Sequence, residues 1–166
     1  MDSSAADGTF DVVSFRRVVR EILDHDTDEK ATSTQLLAVI ANALKFHPNS
    51  SRLYSTYADA CFLSDPNGTD AVTNHLRALE LDPLNSEAYE SLGYIYDANS
   101  DYAKAETCFR KALAAQERID SFLGLASVLA AQNKPQEASS VLTEATNYVN
   151  SQSQKIENKR AEVIDN

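Results

Sequence analysis

The chain has 166 residues, a hydrophobic fraction of 43% and a formal net charge of −10. Its length fits one ordinary domain, and its hydrophobic fraction is large enough to fill a core, which argues against a disordered chain. The acidic balance lacks the clustered Lys and Arg that nucleic acid or an anionic membrane would require. Since no apolar run approaches ~20 residues and the N-terminus has no signal-peptide pattern, we expect a cytoplasmic protein without membrane insertion.

The first elements in chain order are a polar tail over residues 1–9, expected to be disordered, and two helices over 10–48. Apolar residues recur at helical spacing in the first of these helices, at Val12, Phe15, Val19 and Ile22. The second helix is expected to end at His47, because the residue before Pro48 disfavours the α region. The two helices are predicted to form an N-terminal pair, a degenerate form of the repeat that follows.

The later helices recur at a nearly constant interval. Tyr54 and Tyr89 are 35 residues apart, as are Pro48 and Pro83. Two further series of alanines follow intervals of 34 and 33 residues: Ala71, Ala105 and Ala138, and Ala78, Ala112 and Ala145. A period of this size indicates stacked helix pairs. We predict three repeats over 49–83, 84–116 and 117–146, followed by a C-terminal capping helix and tail over 147–166.

The middle repeat carries the most specific pattern, Tyr89-x-x-Leu92-Gly93-x-x-Tyr96 followed by Ala105-x-x-x-Phe109-x-x-Ala112. This segment resembles the tetratricopeptide repeat, W-x₂-L-G-x₂-Y…A-x₃-F…P. Tyr89 replaces the tryptophan, Glu117 stands at the place of the closing proline, and His75 occupies the phenylalanine position of the preceding repeat. The resemblance implies an all-α fold, a right-handed α-solenoid of antiparallel helix pairs with about 8–9 helices.

The resemblance also assigns packing roles to the recurring residues. Small residues are expected where neighbouring helices approach closely, and large ones in the gaps between helices of a pair and of the next repeat. The predicted packing residues are Tyr54, Ala71, Ala78, Tyr89, Leu92, Gly93, Tyr96, Ala105, Phe109, Ala112, Phe122, Leu125, Ala138 and Ala145.

No group of residues has the spacing that chemistry requires. The three histidines, His25, His47 and His75, do not share a helical face, and Cys61 and Cys108 are too far apart in sequence for a zinc-binding pair. The chain has no G-x-S-x-G, no Gly-rich phosphate loop and no H-E-x-x-H. We therefore expect no catalytic residue, no metal site and no cofactor, and predict that the protein is not an enzyme.

In this family the first helices of successive repeats line a concave groove that commonly binds a peptide. Counting from Tyr54, Tyr89 and Phe122 as equivalent positions, the groove is predicted to be lined by Ser55, Asp59, Phe62, Glu90, Tyr94, Asp97, Leu123, Ser127 and Ala130. Acidic and apolar side chains together would suit a basic, amphipathic or apolar segment. The Lys, Asn and Arg clamp with which some members hold acidic chaperone tails is missing. The alternative is that these carboxylates form a solvated face without a ligand.

The resulting hypothesis is a non-catalytic protein–protein interaction module that binds a peptide segment in the groove. Two alternatives stay open: a small dedicated chaperone, resembling those of type III secretion translocators, and a self-assembling scaffold subunit. Four apolar residues of the C-terminal segment are spaced by seven: Leu142, Val149, Ile156 and Val163. Because a coiled coil needs a second apolar row, a polar capping helix is favoured over a helix that forms a homodimer.

Overall fold

The computed structural model describes residues 29–164, and the chain is helical throughout this range apart from short turns. Within this range there are seven helices: α1 (Glu29–Phe46), α2 (Ser51–Ser64), α3 (Asp70–Leu81), α4 (Ser86–Ala98), α5 (Tyr102–Ala115), α6 (Ile119–Ala131) and α7 (Pro135–Ile164). The tail predicted over residues 1–9 and the helix predicted from Phe10 onward lie outside the described residues. None of the described helices combines the length and the apolar character that crossing a membrane demands.

Local sequence explains where these helices begin and turn. The Ser50 side chain accepts a hydrogen bond from the Leu53 N–H at 3.3 Å, and Asp101 does the same for Lys104 at 3.3 Å, so both act as N-caps. Pro135 opens α7, where its missing N–H leaves no bond unmade. The tight turns before α5 and α7 each contain a residue with positive φ, Ser100 at 60° and Asn133 at 58°.

The helices form two compact units, the first ending at Asn85 and the second beginning at Ser86. In the first unit, α2 packs against both α1 and α3. Its core contains Leu36, Ile40, Ala43, Leu53 and Ala60. The turn after α3 is tied to α2 by polar contacts: the Asn85 amide donates to the Ser51 hydroxyl at 2.7 Å, and that hydroxyl donates to the Ala78 carbonyl at 2.8 Å.

In the second unit α5 packs against α4 and α6, and α7 packs against α6. The core centres on Phe109, which is fully buried. A glycine faces its ring from each neighbouring helix: a Cβ at Gly93 of α4 would come within 2.8 Å of the ring, and one at Gly124 of α6 within 2.5 Å. Because real Cβ atoms do not approach so closely, both positions need glycine for the three helices to close around the ring.

Most of the predicted packing residues are buried in their unit. The alanines of the two series, together with Leu92, Gly93, Phe109, Phe122 and Leu125, are buried, whereas Tyr54, Tyr89 and Tyr96 are half-buried. The three tyrosines therefore keep part of their rings at the surface. A cation lies over each ring, with Arg77 5.9 Å, Lys111 5.3 Å and Lys104 5.2 Å from the respective centroids.

The last helix differs from the prediction. No break separates residue 146 from residue 147, and α7 runs for 30 residues as one helix, so the capping segment is not a separate element. The last aromatic contact of α7 with the core is Tyr148, whose ring lies 5.9 Å from that of Phe122. From Val149 to Val163 almost every side chain is exposed. We call residues 149–164 the α7 tail.

Candidate protein-interaction surface

An exposed surface lies where α4 and α6 pack side by side in the second unit. We call it the α4–α6 face and define it by Tyr94 and Asp97 from α4 and Asp120, Leu123 and Ser127 from α6. Two large side chains dominate it, since Tyr94 is 44% exposed and Leu123 is 50% exposed. Single exposed apolar residues are common, but two large ones on neighbouring helices can belong to one patch that binds another molecule.

Tyr94 is held in a fixed orientation. Its hydroxyl donates to the Asp120 carbonyl at 3.0 Å, which links α4 to α6, and its ring meets the Phe109 ring edge-on at 4.9 Å. Burial raises the pKa of the Tyr94 phenol, and the carboxylates of Glu90 and Asp120 raise it further. The phenol therefore stays protonated and keeps its hydrogen bond at physiological pH. A side chain fixed before binding loses little conformational entropy when a partner docks.

Carboxylates surround these apolar residues and outnumber the cation beside them. Arg118 lies 3.3 Å from Glu90, 3.7 Å from Asp120 and 3.8 Å from Glu87. Asp97 and Asp120 belong to the face itself, and together with the neighbouring Glu87, Glu90 and Arg118 they give this region a net charge of −3. A partner with positive charge would therefore be attracted to it.

Glu90 has a different role from the one predicted for it. Its side chain is only 13% exposed, it accepts a hydrogen bond from the Ser121 hydroxyl, and it pairs with the Arg118 guanidinium. Ser121 is itself fully buried. A carboxylate held by two neighbours inside the structure is not available to a ligand, so Glu90 joins α4 to the start of α6 instead of lining a groove.

The groove residues predicted in the first unit are not all on its surface. Ser55 is buried and accepts a hydrogen bond from the Asn85 amide at 3.2 Å, so it belongs to the packing of α2. Asp59 is exposed, and its Oδ1 lies 3.3 Å from Nε2 of the buried His75. Phe62 is half-buried. In the second unit the structure brings Tyr94, Asp97, Leu123 and Ser127 to neighbouring helices, whereas Ala130 is exposed at the far end of α6.

Asp120 of this face and the neighbouring Arg118 were not predicted from the sequence. Asp120 recurs 33 residues after Glu87, which is the interval of the last two repeats, so the period could have identified it. Arg118 precedes α6 in a short turn and follows no helical pattern, and its pairing with three carboxylates depends on the packing of α4 against α6.

The described residues contain no group of three or more His, Cys, Asp or Glu side chains that could hold a metal ion. A separate cleft of about 560 Å³ lies between α5, α6 and α7, with Phe122, Leu125 and Tyr148 among its lining residues. Cys61 and Cys108 are both free and buried, and burial raises the pKa of each thiol. Buried thiols of raised pKa are poor nucleophiles.

Comparison with known proteins identifies one known repeat in the chain and several solved structures of similar fold. Residues 76–107 match the family model of the tetratricopeptide repeat. The solved structure of the MamA protein superposes with a TM-score of 0.68 at 16% identity, over 87% of this chain and 76% of that one. PilF of Pseudomonas aeruginosa gives 0.68 at 18% identity, over 81% of this chain and 60% of that one. No curated protein sequence matches the chain.

A third structure, YrrB, is 28% identical with a TM-score of 0.60, over 65% of this chain and 56% of that one, and is described as a TPR protein with an unusual peptide-binding site. The fold is thus that of an α-solenoid built from antiparallel helix pairs. The chain thus contains a tetratricopeptide repeat at residues 76–107, and its described helices have the fold of tetratricopeptide repeat proteins. The predicted fold class is confirmed, with seven helices in the described range instead of eight or nine.

Proposed function

We propose that the protein is a non-catalytic interaction module whose α4–α6 face binds a peptide segment that is both apolar and basic. The observation that carries this proposal is the pair Tyr94 and Leu123, two exposed apolar side chains on adjacent helices within a surface of net negative charge. Burial of both side chains by a partner would supply most of the binding free energy, since a few large residues at the centre of an interface dominate its affinity.

The negative charge of the face and the fixed orientation of Tyr94 both favour a partner that is apolar and basic. Asp97 and Asp120 flank the apolar pair and would meet Lys or Arg side chains of the segment, which favours rapid association and selects against acidic partners. The peptide-binding site described for YrrB is a precedent for such a role in a structurally similar protein. Asp59 and Phe62 of the first unit remain a predicted second contact area, and we propose a cytoplasmic location.

Selection of random peptides on the immobilised full chain tests this function. Peptides that bind should carry a net positive charge and apolar residues at intervals of three, four or seven. The substitution Leu123→Asp should weaken their binding about tenfold or more, because it places a charge in the centre of the contact. The matched control is Leu76→Asp on α3, since Leu76 has nearly the same exposure, 47%, and lies outside the face.

The α4–α6 face is not the binding surface if the selected peptides are acidic. The same conclusion follows if Leu76→Asp and Leu123→Asp weaken peptide binding equally. Circular dichroism of both variants ensures that a loss of binding is not a loss of fold.

A further inference from the structure

The α7 tail has the chemistry that the α4–α6 face is proposed to bind. Ile156 and Val163 are 69% and 73% exposed, and they form a shallow exposed patch with Lys159 and Arg160. These four residues are related by intervals of three, four and seven, so they share one side of the helix. The tail therefore presents an amphipathic stripe in which apolar residues alternate with cations.

The charge of the α7 tail sets it apart from the rest of the chain. Its three cations, Lys155, Lys159 and Arg160, exceed its two carboxylates, Glu157 and Glu162, which gives a net charge of +1. Since the whole chain carries −10, the remainder carries −11. Electrostatic attraction between two copies is therefore strongest where the tail of one copy meets an acidic surface of the other.

The tail receives little packing from the described residues of its own unit. Beyond Tyr148 its side chains are exposed over about four turns of helix, and helices of this length are marginally stable in water without tertiary packing. Because α7 is one continuous helix whose first half packs on α6, its tail extends away from α6 and does not turn back to the α4–α6 face of the same chain. An α4–α6 face that binds the tail must therefore belong to a second molecule.

The spacing of the apolar residues along the α7 tail is similar to the spacing of the helices that form the α4–α6 face. Ile156 and Val163 are seven residues apart, which corresponds to about 10.5 Å along a helix. Tyr94 and Leu123 stand on adjacent helices, whose axes are typically 8–10 Å apart. A tail lying across the α4–α6 face can therefore place one apolar residue against each of these side chains. In that position Lys159 and Arg160 lie between the two contacts, close to the acidic residues.

We propose that the α7 tail of one copy binds the α4–α6 face of a second copy, with Ile156 and Val163 on Tyr94 and Leu123 and the basic residues toward Asp97 and Asp120. The proposal rests on the binding function proposed above and names its partner. Since the two surfaces differ, the contact is heterologous and can join more than two copies head to tail. It differs from a symmetric pairing of two α7 tails, in which the face has no part.

Sedimentation velocity of the full chain tests this contact. The average mass should rise with protein concentration, and should rise less at about 0.5 M than at about 0.05 M salt, because the charges are screened. Leu123→Asp, which disables the face, and Ile156→Asp, which disables the tail, should each be monomeric when alone. An equimolar mixture of the two variants should form a dimer and nothing larger, because it retains one intact face and one intact tail.

Lys45→Glu on α1 is the control, because Lys45 is an exposed cation outside both surfaces, and it should associate like the unsubstituted chain. A chain that stays monomeric at all concentrations would overturn the proposal. So would association of Leu123→Asp alone, which is the result expected for symmetric pairing of tails.

A labelled synthetic peptide of residues 149–164 with blocked ends, which has the net charge of +1 of the α7 tail, separates this proposal from the general binding function. We expect it to bind the full chain and to bind Leu123→Asp about tenfold or more weakly. Failure of this peptide, while selected peptides still bind the face, would contradict self-recognition and leave the interaction function standing. Failure of both sets of peptides would remove the binding function itself.

Discussion

Single residues decide how closely the helices of the second unit approach. Gly93 and Gly124 lie on opposite sides of the Phe109 ring, and neither leaves room for a Cβ. The sequence predicted Gly93 from its place in the repeat pattern. Gly124 follows no position of that pattern, and its role depends on the ring of the preceding repeat, so only the packed structure reveals it.

Gly124→Ala should destabilise the protein. Overpacking costs about 1–3 kcal/mol, and over most of that range it outweighs the roughly 1 kcal/mol of helix propensity that alanine gains over glycine. Denaturant unfolding measures the change. The double variant Gly124→Ala/Phe109→Leu should lose less stability than the sum of the single variants, because the smaller side chain makes room for the methyl group. Additive losses would mean that Gly124 and Phe109 do not limit each other's size.

His75 is a polar residue that occupies an apolar site in the packing of its unit. It is fully buried, and neither ring nitrogen has a hydrogen-bond partner among the described residues, although Asp59 approaches Nε2 to 3.3 Å without hydrogen-bond alignment. Unsatisfied buried polar atoms cost about 1–3 kcal/mol. We therefore expect His75→Leu to raise the free energy of unfolding by about that amount, with His47→Leu at an exposed site as the control. A lower stability of His75→Leu would show that the imidazole contributes a bond of its own.

At the scale of elements, the repeat period predicted most helices but misplaced the end of the last one. The boundary at residue 146 came from the length of a repeat, whereas a helix ends where its sequence stops it. No glycine or proline lies between Gln136 and Ile164, so nothing in the chain interrupts α7. The repeat pattern predicts the half of α7 that packs on the core, whereas the absence of glycine and proline predicts the full length of the helix.

Polar contacts also join elements, and Glu106 is the clearest case. This residue of α5 accepts hydrogen bonds from Lys134 and Gln132, both at 3.0 Å, and from Arg110 at 2.9 Å. Burial by itself would raise the pKa of the Glu106 carboxyl, but the bonds from Lys134, Arg110 and Gln132 together hold the pKa below its usual range. The ionised carboxylate thus fixes the turn between α6 and α7 onto α5.

Glu106→Gln should lower the stability at neutral pH by about 1 kcal/mol. Because the folded pKa is depressed, the ionised form stabilises the protein above the unfolded pKa of about 4.3, and this contribution disappears as the pH falls through the folded pKa. The difference between the two proteins should therefore vanish in acid, which thermal unfolding at several pH values measures. Glu137→Gln serves as the control, since its contact with Arg110 is exposed and longer, at 3.4 Å. A difference that persists at low pH would assign the effect to packing.

At the scale of the whole molecule, the repeat period was enough to predict the fold but not enough to predict which side chains are exposed at the candidate surface. Helix spacing and the recurring alanines follow directly from the packing of repeated pairs, so they are visible in the sequence. The sequence does not show whether a side chain is available to a partner. Glu90 and Ser55 occupy predicted groove positions, yet Glu90 is held by Ser121 and Arg118, and Ser55 is buried. Which polar groups a fold uses internally depends on contacts between distant residues.

The charges of the α4–α6 face should affect association more than dissociation. Asp97→Lys should slow the association of a basic peptide, and the effect should shrink as salt rises, because exposed charges are screened over about 10 Å at 0.1 M. Tyr94→Ala should instead speed dissociation, since it removes a fixed aromatic contact. Surface plasmon resonance separates the two rates. Glu144→Lys, on the exposed surface of α7, should change neither rate, and an equal effect there would indicate attraction by total charge alone.

The most direct measurement of where this protein binds its partner is site-specific photo-crosslinking. A benzophenone side chain is introduced in the full chain at Leu123 on the α4–α6 face or, as the matched position, at Leu76 on α3. Both variants are then irradiated with the same basic, apolar peptide. Binding at the α4–α6 face predicts a crosslink from position 123 that excess unlabelled peptide abolishes, and none from position 76. A crosslink from position 76 together with none from position 123 would contradict it.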